Sequence, residues 1–365
     1  MTDTNSARST ASASSGKLRV AVIGCGAIGQ RRHIPEAFSN PRVQLVALCD
    51  LKPGRAQEVG AKYGTPTAYT DHREMIAREK PDIVVVGTPN ALHAAQAIDA
   101  LQAGCHVLVE KPMATSIDEA NAMIAAAEKA GRFLMVGQNQ RLMPPHVKAK
   151  QILDSGILGQ PISFQTTFKH PGPDGWSVDG ATSWFFKKEL AAMGVCADLG
   201  VHKIDLMRYL LGQEITDVTG FIGTLNKTQP NSDRLIEIDD TAFLSVRTDK
   251  GVIGSITISW TQYGHFEDNS TTIYCEQGVL EIATNPEFSV IVHGRDGSKA
   301  FYKTGAVATN TQQTNSGVID AFIESVTSKR PPTIDGREGL KALRVILAAF
   351  DASREGKISK VATTA

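Results

Sequence analysis

Residues 18–29 of the chain read LRVAVIGCGAIG, and this stretch indicates the fold more strongly than any other. Its first half, residues 18–23, is an apolar run with the β-branched content of a buried parallel strand. Its second half is a glycine-rich turn of the form GxGxxG, after which a helical stretch begins. A strand that enters a helix through such a turn is typical of a dinucleotide-binding βαβ unit. A glycine-rich turn that binds nothing has the same local pattern. The surrounding sequence must therefore distinguish a dinucleotide-binding turn from one without a ligand.

The residues of the turn have distinct physical roles. Gly24 permits a tight turn, Gly26 lets the backbone approach a pyrophosphate, and Gly29 lets the helix pack closely on the strand. Ala27 and Ile28 complete the turn, and the N-terminus of the helix favours an anion. We therefore predict that the five residues bind the phosphates of a dinucleotide.

A second apolar run, residues 43–49, ends at Asp50, which stands 50 − 29 = 21 positions after the last glycine of the turn. At this distance a carboxylate can bind the ribose diol of the dinucleotide. Because a carboxylate also repels a 2′-phosphate, Asp50 predicts NAD rather than NADP as the cofactor. Lys52 and Arg55 follow closely enough to keep NADP as the less favoured alternative.

Strands and helices alternate from residue 17 to about residue 140, which predicts a doubly wound parallel (Rossmann) sheet with right-handed crossovers. The further strands are residues 83–86, 106–109 and 133–136, and the helices between them are residues 91–103 and 116–130.

After about residue 141 the pattern changes to short alternating runs separated by turns, which predicts an antiparallel meander. Helices are predicted over residues 145–155, 316–327 and 338–354. The expected fold is α/β, with a Rossmann sheet followed by an α+β domain that contains a large, mostly antiparallel sheet. The expected parts are a disordered tail over 1–16, a dinucleotide-binding domain over 17–140, and a substrate-binding and oligomerisation domain over 141–365.

Composition excludes several classes of partner. Lysine plus arginine equals aspartate plus glutamate at 38 each, so no basic surplus favours nucleic acid or an anionic membrane. Residues 1–16 have no apolar core that could serve as a secretory signal, and no run approaches the length of a membrane span. The five cysteines form no CxxC pair and predict neither a disulfide framework nor a zinc site. A reducing cytoplasm is the expected location.

Ligands of a doubly wound sheet bind beyond the carboxyl ends of its strands. Besides the glycine turn, the residues predicted to bind cofactor at these ends are Asp50, Thr88, Pro89, Asn90, Glu110, Lys111 and Gln138. Lys111 is notable because an acid precedes it and a proline follows it. Most lysines lie on the surface, but this placement favours a functional role.

A second polar cluster contains Asp198, His202 and Asp205, whose spacing places them on one face of a helix. A capped amphipathic helix and a metal site are the alternatives, and a metal is disfavoured because only one histidine is present. A histidine beside a carboxylate can act as a general base near neutral pH.

The glycine turn, the Glu110-Lys111-Pro112 segment and the Asp198/His202/Asp205 segment together resemble the glucose–fructose oxidoreductase / inositol dehydrogenase family (Gfo/Idh/MocA). The resemblance covers essentially all residues from 17 onward. It implies that Lys111, Asp198 and His202 are the catalytic group, and that Thr88-Pro89-Asn90 with His93 forms the loop near the nicotinamide. It also implies that the C-terminal sheet forms a substrate wall and joins subunits in a homodimer or homotetramer.

One segment departs from the family's pattern. Many members carry three glycines before the aspartate, whereas this chain has Ala192-Met193-Gly194. The loop that lines the substrate pocket is therefore expected to be stiffer or differently shaped.

The predicted function is hydride transfer between a secondary hydroxyl of a cyclic polyol, sugar or glycoside and NAD. His202 would take the hydroxyl proton, Lys111 would stabilise the alkoxide, and Asp198 would hydrogen-bond the substrate and orient the histidine. The alternatives are an NADPH-dependent keto-sugar reductase and a dinucleotide-sensing regulatory protein. The predicted substrate contacts are Lys111, Arg141, Lys169, Trp176, Trp184, Asp198 and His202. Weaker candidates are His146, Asp174, Asp179 and Asn269.

Overall fold

The structure, a computed structural model, describes residues 16–64, 67–264, 267–307 and 315–362. The tail expected over residues 1–16 lies, apart from Gly16, outside these described residues. Two sheets with helices packed on them make up the described chain, and the predicted α/β fold class is confirmed.

The first sheet contains six described strands, all paired in parallel. They are β1 (Leu18–Ile23), β2 (Val43–Cys49), β3 (Thr67–Tyr69), β4 (Ile83–Val86), β5 (His106–Val109) and β6 (Leu134–Val136). Their order in the sheet is β3-β2-β1-β4-β5-β6. Strands β1 to β3 are added in one direction across the sheet and β4 to β6 in the other, so the strand order reverses between the neighbouring strands β1 and β4. Such a switch point opens a crevice at the carboxyl ends of the strands, where ligands bind.

Five helices flank this sheet: α1 (Ile34–Ser39), α2 (Arg55–Gly60), α3 (His72–Glu79), α4 (His93–Gln102) and α5 (Ile117–Ala130). Helix α5 begins where the Ser116 hydroxyl accepts a hydrogen bond from the backbone N–H of Glu119, and ends at Gly131 with φ +61°. These are the two ends that the sequence predicted. Helix α4 is preceded by a 3₁₀ turn at Asn90–Leu92, so it starts two residues later than expected.

The second sheet contains nine described strands. They are β7 (Pro161–Lys169), β8 (Ile215–Gly223), β9 (Thr241–Thr248), β10 (Ile253–Ser259), β11 (Thr271–Cys275), β12 (Gly278–Ile282), β13 (Val290–Gly294), β14 (Lys299–Tyr302) and β15 (Ser359–Lys360). Their order is β14-β13-β12-β11-β7-β10-β9-β8-β15, and every pair except β7 with β10 is antiparallel. The predicted mostly antiparallel sheet is confirmed.

Five helices follow the Rossmann sheet in the chain: α6 (Pro144–Asp154), α7 (Lys188–Ala191), α8 (Val201–Leu211), α9 (Val318–Ser328) and α10 (Gly336–Glu355). Helices α6, α8 and α10 pack on the second sheet, where alternate side chains of β7, β9 and β10 are buried.

The C-terminal helices connect the two sheets. Glu36 of α1 accepts hydrogen bonds from the backbone N–H groups of Ser316 and Ile319, at 2.5 and 3.3 Å, and so holds the start of α9. Helix α10 packs against α5 and β6 and also against β8. The division at residue 140 stays a prediction, because chain after residue 315 contacts both halves.

Candidate active site

A cavity of about 610 Å³ lies at the carboxyl edge of the first sheet, and the second half of the chain forms its other wall. The first half contributes the glycine turn, Asp50, the loop after β4 and the loop after β5. The second half contributes Phe168, a segment around Trp176 and the start of α8. Lys111, Asp198 and His202 therefore face one space.

The glycine turn has the shape that a pyrophosphate needs. A side chain at Gly24 would place its Cβ 2.3 Å from the carbonyl oxygen of Gly87, and one at Gly29 would place it 2.2 Å from the carbonyl oxygen of Gly24. A Cβ at Gly26, in contrast, would meet no atom within 4 Å. Gly24 and Gly29 thus hold the backbone together, and Gly26 borders open space. Ala27 and Ile28 line the same space.

The helix after this turn begins with a π-helical segment, Gly29–His33, that the sequence did not predict. It places Arg32 and His33 beneath the loop after β5, where the Glu110 carboxylate lies 3.2 Å from Arg32 and 2.8 Å from His33. Burial alone would raise the pKa of Glu110, but the hydrogen bond from His33 and the charge of Arg32 hold it well below its usual range. Glu110 also accepts a bond from the backbone N–H of Lys111 at 3.2 Å. It therefore anchors the turn that carries the lysine.

Asp50 lines the cavity at the end expected for the adenosine ribose. One carboxylate oxygen accepts the backbone N–H of Cys25 and the other accepts that of Lys52, each at 2.9 Å. These bonds fix the carboxylate beside the glycine turn. This position suits a ribose diol, and the binding of the diol by Asp50 stays a prediction.

The loop after β4 also borders the cavity through Thr88, Pro89, Asn90 and His93. The His93 ring is buried, with Nδ1 2.8 Å from the carbonyl oxygen of Pro112 and Nε2 2.9 Å from that of Thr88. Asn90 Nδ2 donates to the carbonyl oxygen of Ala191 at 2.9 Å. The loop is thereby joined to the lysine turn and to the second half of the chain.

Lys111 and Asp198 form a buried ion pair in the centre of the cavity wall. Lys111 Nζ donates to the Oδ1 atom and to the backbone oxygen of Asp198, each at 3.0 Å. Asp198 Oδ2 accepts the indole N–H of Trp260 at 3.1 Å and lies 3.7 Å from His170 Nε2. Burial would raise the pKa of Asp198, but the Lys111 charge and His170 hold it well below its usual range. The carboxylate therefore orients Lys111.

This geometry corrects the role expected for Asp198. Asp198 was expected to hydrogen-bond the substrate and to orient His202, but its hydrogen bonds run to Lys111 and Trp260. Trp260 and His170 were missed, because they lie 62 and 28 residues away in sequence and directly follow β10 and β7 rather than belonging to any motif.

His202 lines the cavity at the start of α8. Burial lowers its pKa well below the ordinary value, and the nearby Lys111 charge lowers it further. Its Nδ1 atom is buried without a hydrogen-bond partner among the described residues. The imidazole is therefore neutral at physiological pH.

The segment before α8 is held by one missed residue, Asp239. Its carboxylate accepts the backbone N–H groups of Gly194 and Cys196 at 2.6 and 2.7 Å. A Cβ at Gly194 would come within 1.9 Å of the backbone oxygen of Asp239, so this glycine is required. Residues Cys196–Gly200 then form a π-helical segment that contains Asp198.

Aromatic side chains cover the cavity. Trp184 and Phe185 stack with ring centroids 3.9 Å apart, and Trp176 meets Phe185 edge-on at 5.0 Å. Trp176 and Trp184 line the cavity as predicted. The indole N–H of Trp176 is buried without a partner among the described residues.

Several predicted contacts lie elsewhere. Arg141 is buried against Asp205, 2.7 and 2.5 Å from its two oxygens, and against Glu338 at 2.9 Å, so the guanidinium is committed to a structural network. Asp205 is bound to Arg141 in this network. Arg141, Lys169 and Asp205 are not among the described residues that line the cavity. The positions of Arg141 and Lys169 therefore do not support the substrate contacts predicted for them.

The weaker candidates are also explained by other contacts. Asp174 pairs with Lys227 at 2.8 Å and Asp179 with Arg55 at 2.6 Å. His146 and Asn269 belong to a buried polar cluster with Gln140, Lys203 and Thr271, and of these five Gln140 lines the cavity. Burial lowers the pKa of Lys203 to about 7 and that of His146 to about 3. Gln138 is buried, with neither amide atom bonded within the described chain, and is not among the described lining residues.

Two other kinds of site are not found in the described part of the chain. No group of three or more histidine, cysteine, aspartate or glutamate side chains there could hold a metal ion. No helix in these residues combines the length and apolar composition that crossing a membrane requires.

Both halves of the chain are similar to known protein families. Residues 18–138 match the model of an oxidoreductase family with an NAD-binding Rossmann fold, and residues 146–281 match the model of the GFO/IDH/MocA C-terminal domain. The first half of the chain is thus an NAD-binding Rossmann domain. Its NAD assignment agrees with the prediction from Asp50.

Curated relatives include dehydrogenases. The chain is 33% identical to D-glucoside 3-dehydrogenase of Escherichia coli over 54% of this chain and 55% of that protein. It is 28% identical to scyllo-inositol 2-dehydrogenase (NAD(+)) of Bacillus subtilis over 93% of this chain and 95% of that one. Among solved structures, the aldose-aldose oxidoreductase from Caulobacter crescentus complexed with glycerol has a TM-score of 0.79 and 28% identity, covering 94% of this chain and 99% of that one.

Proposed function

The chain belongs to the Gfo/Idh/MocA family of oxidoreductases, and we propose that it transfers a hydride between a secondary hydroxyl carbon of a cyclic polyol, sugar or glycoside and NAD. The observation that carries this proposal is one cavity that holds the glycine turn and Asp50 at one end and Lys111, Asp198 and His202 at the other. A dinucleotide extended from Asp50 along the glycine turn would direct its nicotinamide towards the lysine.

The residues support oxidation of a hydroxyl group. When bound, the nicotinamide supplies the redox chemistry. His202 is neutral and can take the hydroxyl proton, and the Lys111 ammonium can stabilise the negative charge that develops on the oxygen. Asp198 holds Lys111 in place by two hydrogen bonds. The surrounding aromatic side chains restrict the access of water.

The cavity wall fits a ring with several hydroxyl groups. Trp176, Trp184 and Phe185 present aromatic surface to the C–H faces of a sugar or cyclitol. The named relatives act on a glucoside and on an inositol, which are compounds of this class.

The test is NAD reduction by the purified protein across a panel of inositols, aldoses and glycosides, with NADP run in parallel. We expect turnover with NAD, and a loss of about 10²–10³ in kcat for Lys111→Ala because one charge stabiliser is removed. Lys250→Ala, in an exposed turn between β9 and β10, is the matched control and should be unaffected. Tight NAD binding with no turnover on any substrate would instead favour a dinucleotide sensor.

The second sheet also offers an assembly surface. Phe221 and Phe243 lie opposite each other in β8 and β9 and are 83% and 53% exposed. Ile253 in β10 and Tyr274 in β11 are also exposed on this sheet. We propose that this face joins copies of the chain into a homodimer or homotetramer, because isologous interfaces bury such apolar surface.

We further propose a reducing compartment, the cytoplasm, as the location. All five cysteines are free and buried, and burial raises the pKa of Cys25 and Cys49 to about 12. Such thiols are inert packing residues, and disulfides are typical of oxidising compartments instead.

A further inference from the structure

Asp179 reaches from the second half of the chain to the adenosine end of the cavity. It belongs to residues 170–187, the segment between β7 and α7 that also carries the aromatic side chains Trp176, Trp184 and Phe185. Its Oδ1 atom accepts Arg55 Nη2 at 2.6 Å and lies 3.4 Å from Lys52 Nζ. All three residues line the cavity together with Asp50.

The turn around Asp179 holds its carboxylate in this position. The backbone oxygen of Asp179 accepts bonds from the Thr182 hydroxyl at 2.8 Å and from the Thr182 backbone N–H at 3.1 Å. The side chain of Arg55 is 16% exposed, against 63% for Lys52, so the arginine is the more confined partner. The Asp179–Arg55 pair is therefore the stronger contact.

The pair lies where NAD and NADP differ. Asp50 follows β2, and Arg55 begins α2 five residues later. In Rossmann domains a carboxylate at this place binds the ribose 2′-hydroxyl, and an arginine nearby can accommodate a 2′-phosphate. Arg55 is thus the group that would accept NADP if its guanidinium were free.

The charge of Asp179 affects the preference between NAD and NADP. Asp50 and Asp179 match Lys52 and Arg55, so the four side chains have no net charge. Without Asp179, one positive charge would remain beside the position of the 2′-phosphate. The hydrogen bond from Arg55 lowers the pKa of Asp179, so the carboxylate remains ionised at neutral pH.

We propose that Asp179 is a cofactor-specificity residue: by binding Arg55 it withholds the guanidinium from a 2′-phosphate and so favours NAD over NADP. It is a positioning residue that acts through Arg55. This selection lies outside the segment after β2, where the sequence places the choice of cofactor.

The test is direct binding of NAD⁺ and NADP⁺ by calorimetry, which requires no substrate and so is independent of the proposed dehydrogenase activity. For Asp179→Asn we expect the Kd for NADP⁺ to fall by about tenfold, as a charge-assisted arginine–phosphate contact becomes available, while the Kd for NAD⁺ changes by less than about threefold. Asp179→Glu keeps the charge and should restore the ratio of the wild-type chain.

The same substitution in an Arg55→Ala background identifies the route of the effect. If Asp179 acts through Arg55, Asp179→Asn should no longer change the NADP⁺ to NAD⁺ ratio there. An unchanged ratio in the single variant, an equal change in the Arg55→Ala background, or loss of both nucleotides from Asp179→Asn would each overturn the proposal.

Discussion

Ala192 has a strained backbone conformation and lies just before the π-helical segment Cys196–Gly200. Its backbone has φ +61° and ψ −45°, a region that favours glycine, and the family often has glycine here. We expect Ala192→Gly to stabilise the fold by about 1 kcal/mol, since relief of about 1–2 kcal/mol of strain exceeds the extra entropy of glycine in the unfolded chain. Urea denaturation measures the change.

Ala191→Gly is the matched control for this prediction. Ala191 ends α7 with an ordinary helical conformation, so the same substitution there should destabilise by about 1 kcal/mol. Equal destabilisation of the two variants would show that Ala192 is not strained.

The pH dependence of oxidation follows from His202. Since burial and the Lys111 charge place its pKa below the ordinary value, the base is neutral at pH 7 and is lost only as the pH falls through that lower pKa. We expect kcat/KM, measured from about pH 4.5 to about pH 9, to fall on the acid side of its pH profile with a midpoint below about pH 6.5. A midpoint at or above that value, or an unchanged limb in His202→Asn, would contradict the assignment of the base.

The sequence predicted most of the residues that the structure brings together at the cavity, but not their pairing. Gly24, Asp50, Lys111, Asp198 and His202 follow from local patterns and from the family resemblance. The bond from Trp260 to Asp198, and the capture of Arg141 by Asp205, join residues more than 60 positions apart. Nothing local in the sequence specifies such contacts.

At the scale of elements, Asp239 holds the backbone at the start of the π-helical segment Cys196–Gly200. Its carboxylate accepts two buried N–H groups, those of Gly194 and Cys196, just before the π-helical turn that carries Asp198. We expect Asp239→Ala to lower the free energy of unfolding by about 3 kcal/mol, because both donors lose their partner. It should also lower kcat by about 10²-fold, because Asp198 and His202 shift.

Asp240→Ala provides the control for that prediction. Asp240 accepts backbone N–H groups of Leu225, Asn226 and Lys227, a comparable set of bonds that lies away from the π-helical turn. It should lose similar stability, measured by thermal unfolding, with a much smaller loss of kcat. Equal kcat for the two variants would remove Asp239 from the positioning of the centre.

Elements with strong periodicity and clear ends were predictable. The strands β1, β2, β4 and β5 and helix α5 have buried runs or recognisable caps. The π-helical segments Gly29–His33 and Cys196–Gly200 were not predictable from the sequence. Each adds a residue to a helical turn, and this addition depends on tertiary contacts. The short 3₁₀ turns within residues 173–187 have no periodic pattern, so the contact of Asp179 with Arg55 could not be foreseen.

At the scale of the whole molecule, the open face of the second sheet makes a prediction about assembly. We expect the wild-type chain to be a dimer or tetramer, and a Phe221→Glu/Phe243→Glu double variant to dissociate, because burying two carboxylates at such an interface is unfavourable. Light scattering after size exclusion gives the mass. Phe38→Glu, 54% exposed on α1, is the control, and a monomeric wild-type chain would refute the proposed interface.

The overall division into a parallel and a mostly antiparallel sheet was predictable, since each leaves its own periodicity in the sequence. The packing of the C-terminal helices α9 and α10 back onto the first half of the chain was not predictable. Glu36 accepts hydrogen bonds from residues about 280 positions later in the chain, at the start of α9. The packing of α10 on both sheets likewise joins elements that are distant in sequence.

The most direct test of the proposed function is the transfer of deuterium from substrate carbon to NAD. The best substrate of the panel, deuterated at its ring carbons, is incubated with the protein and NAD⁺, and the NADH is analysed by mass spectrometry. We expect NADH that carries one deuterium, and none from Lys111→Ala within the same time. NADH without deuterium, or a product formed at the same rate by Lys111→Ala, would contradict hydride transfer at this centre.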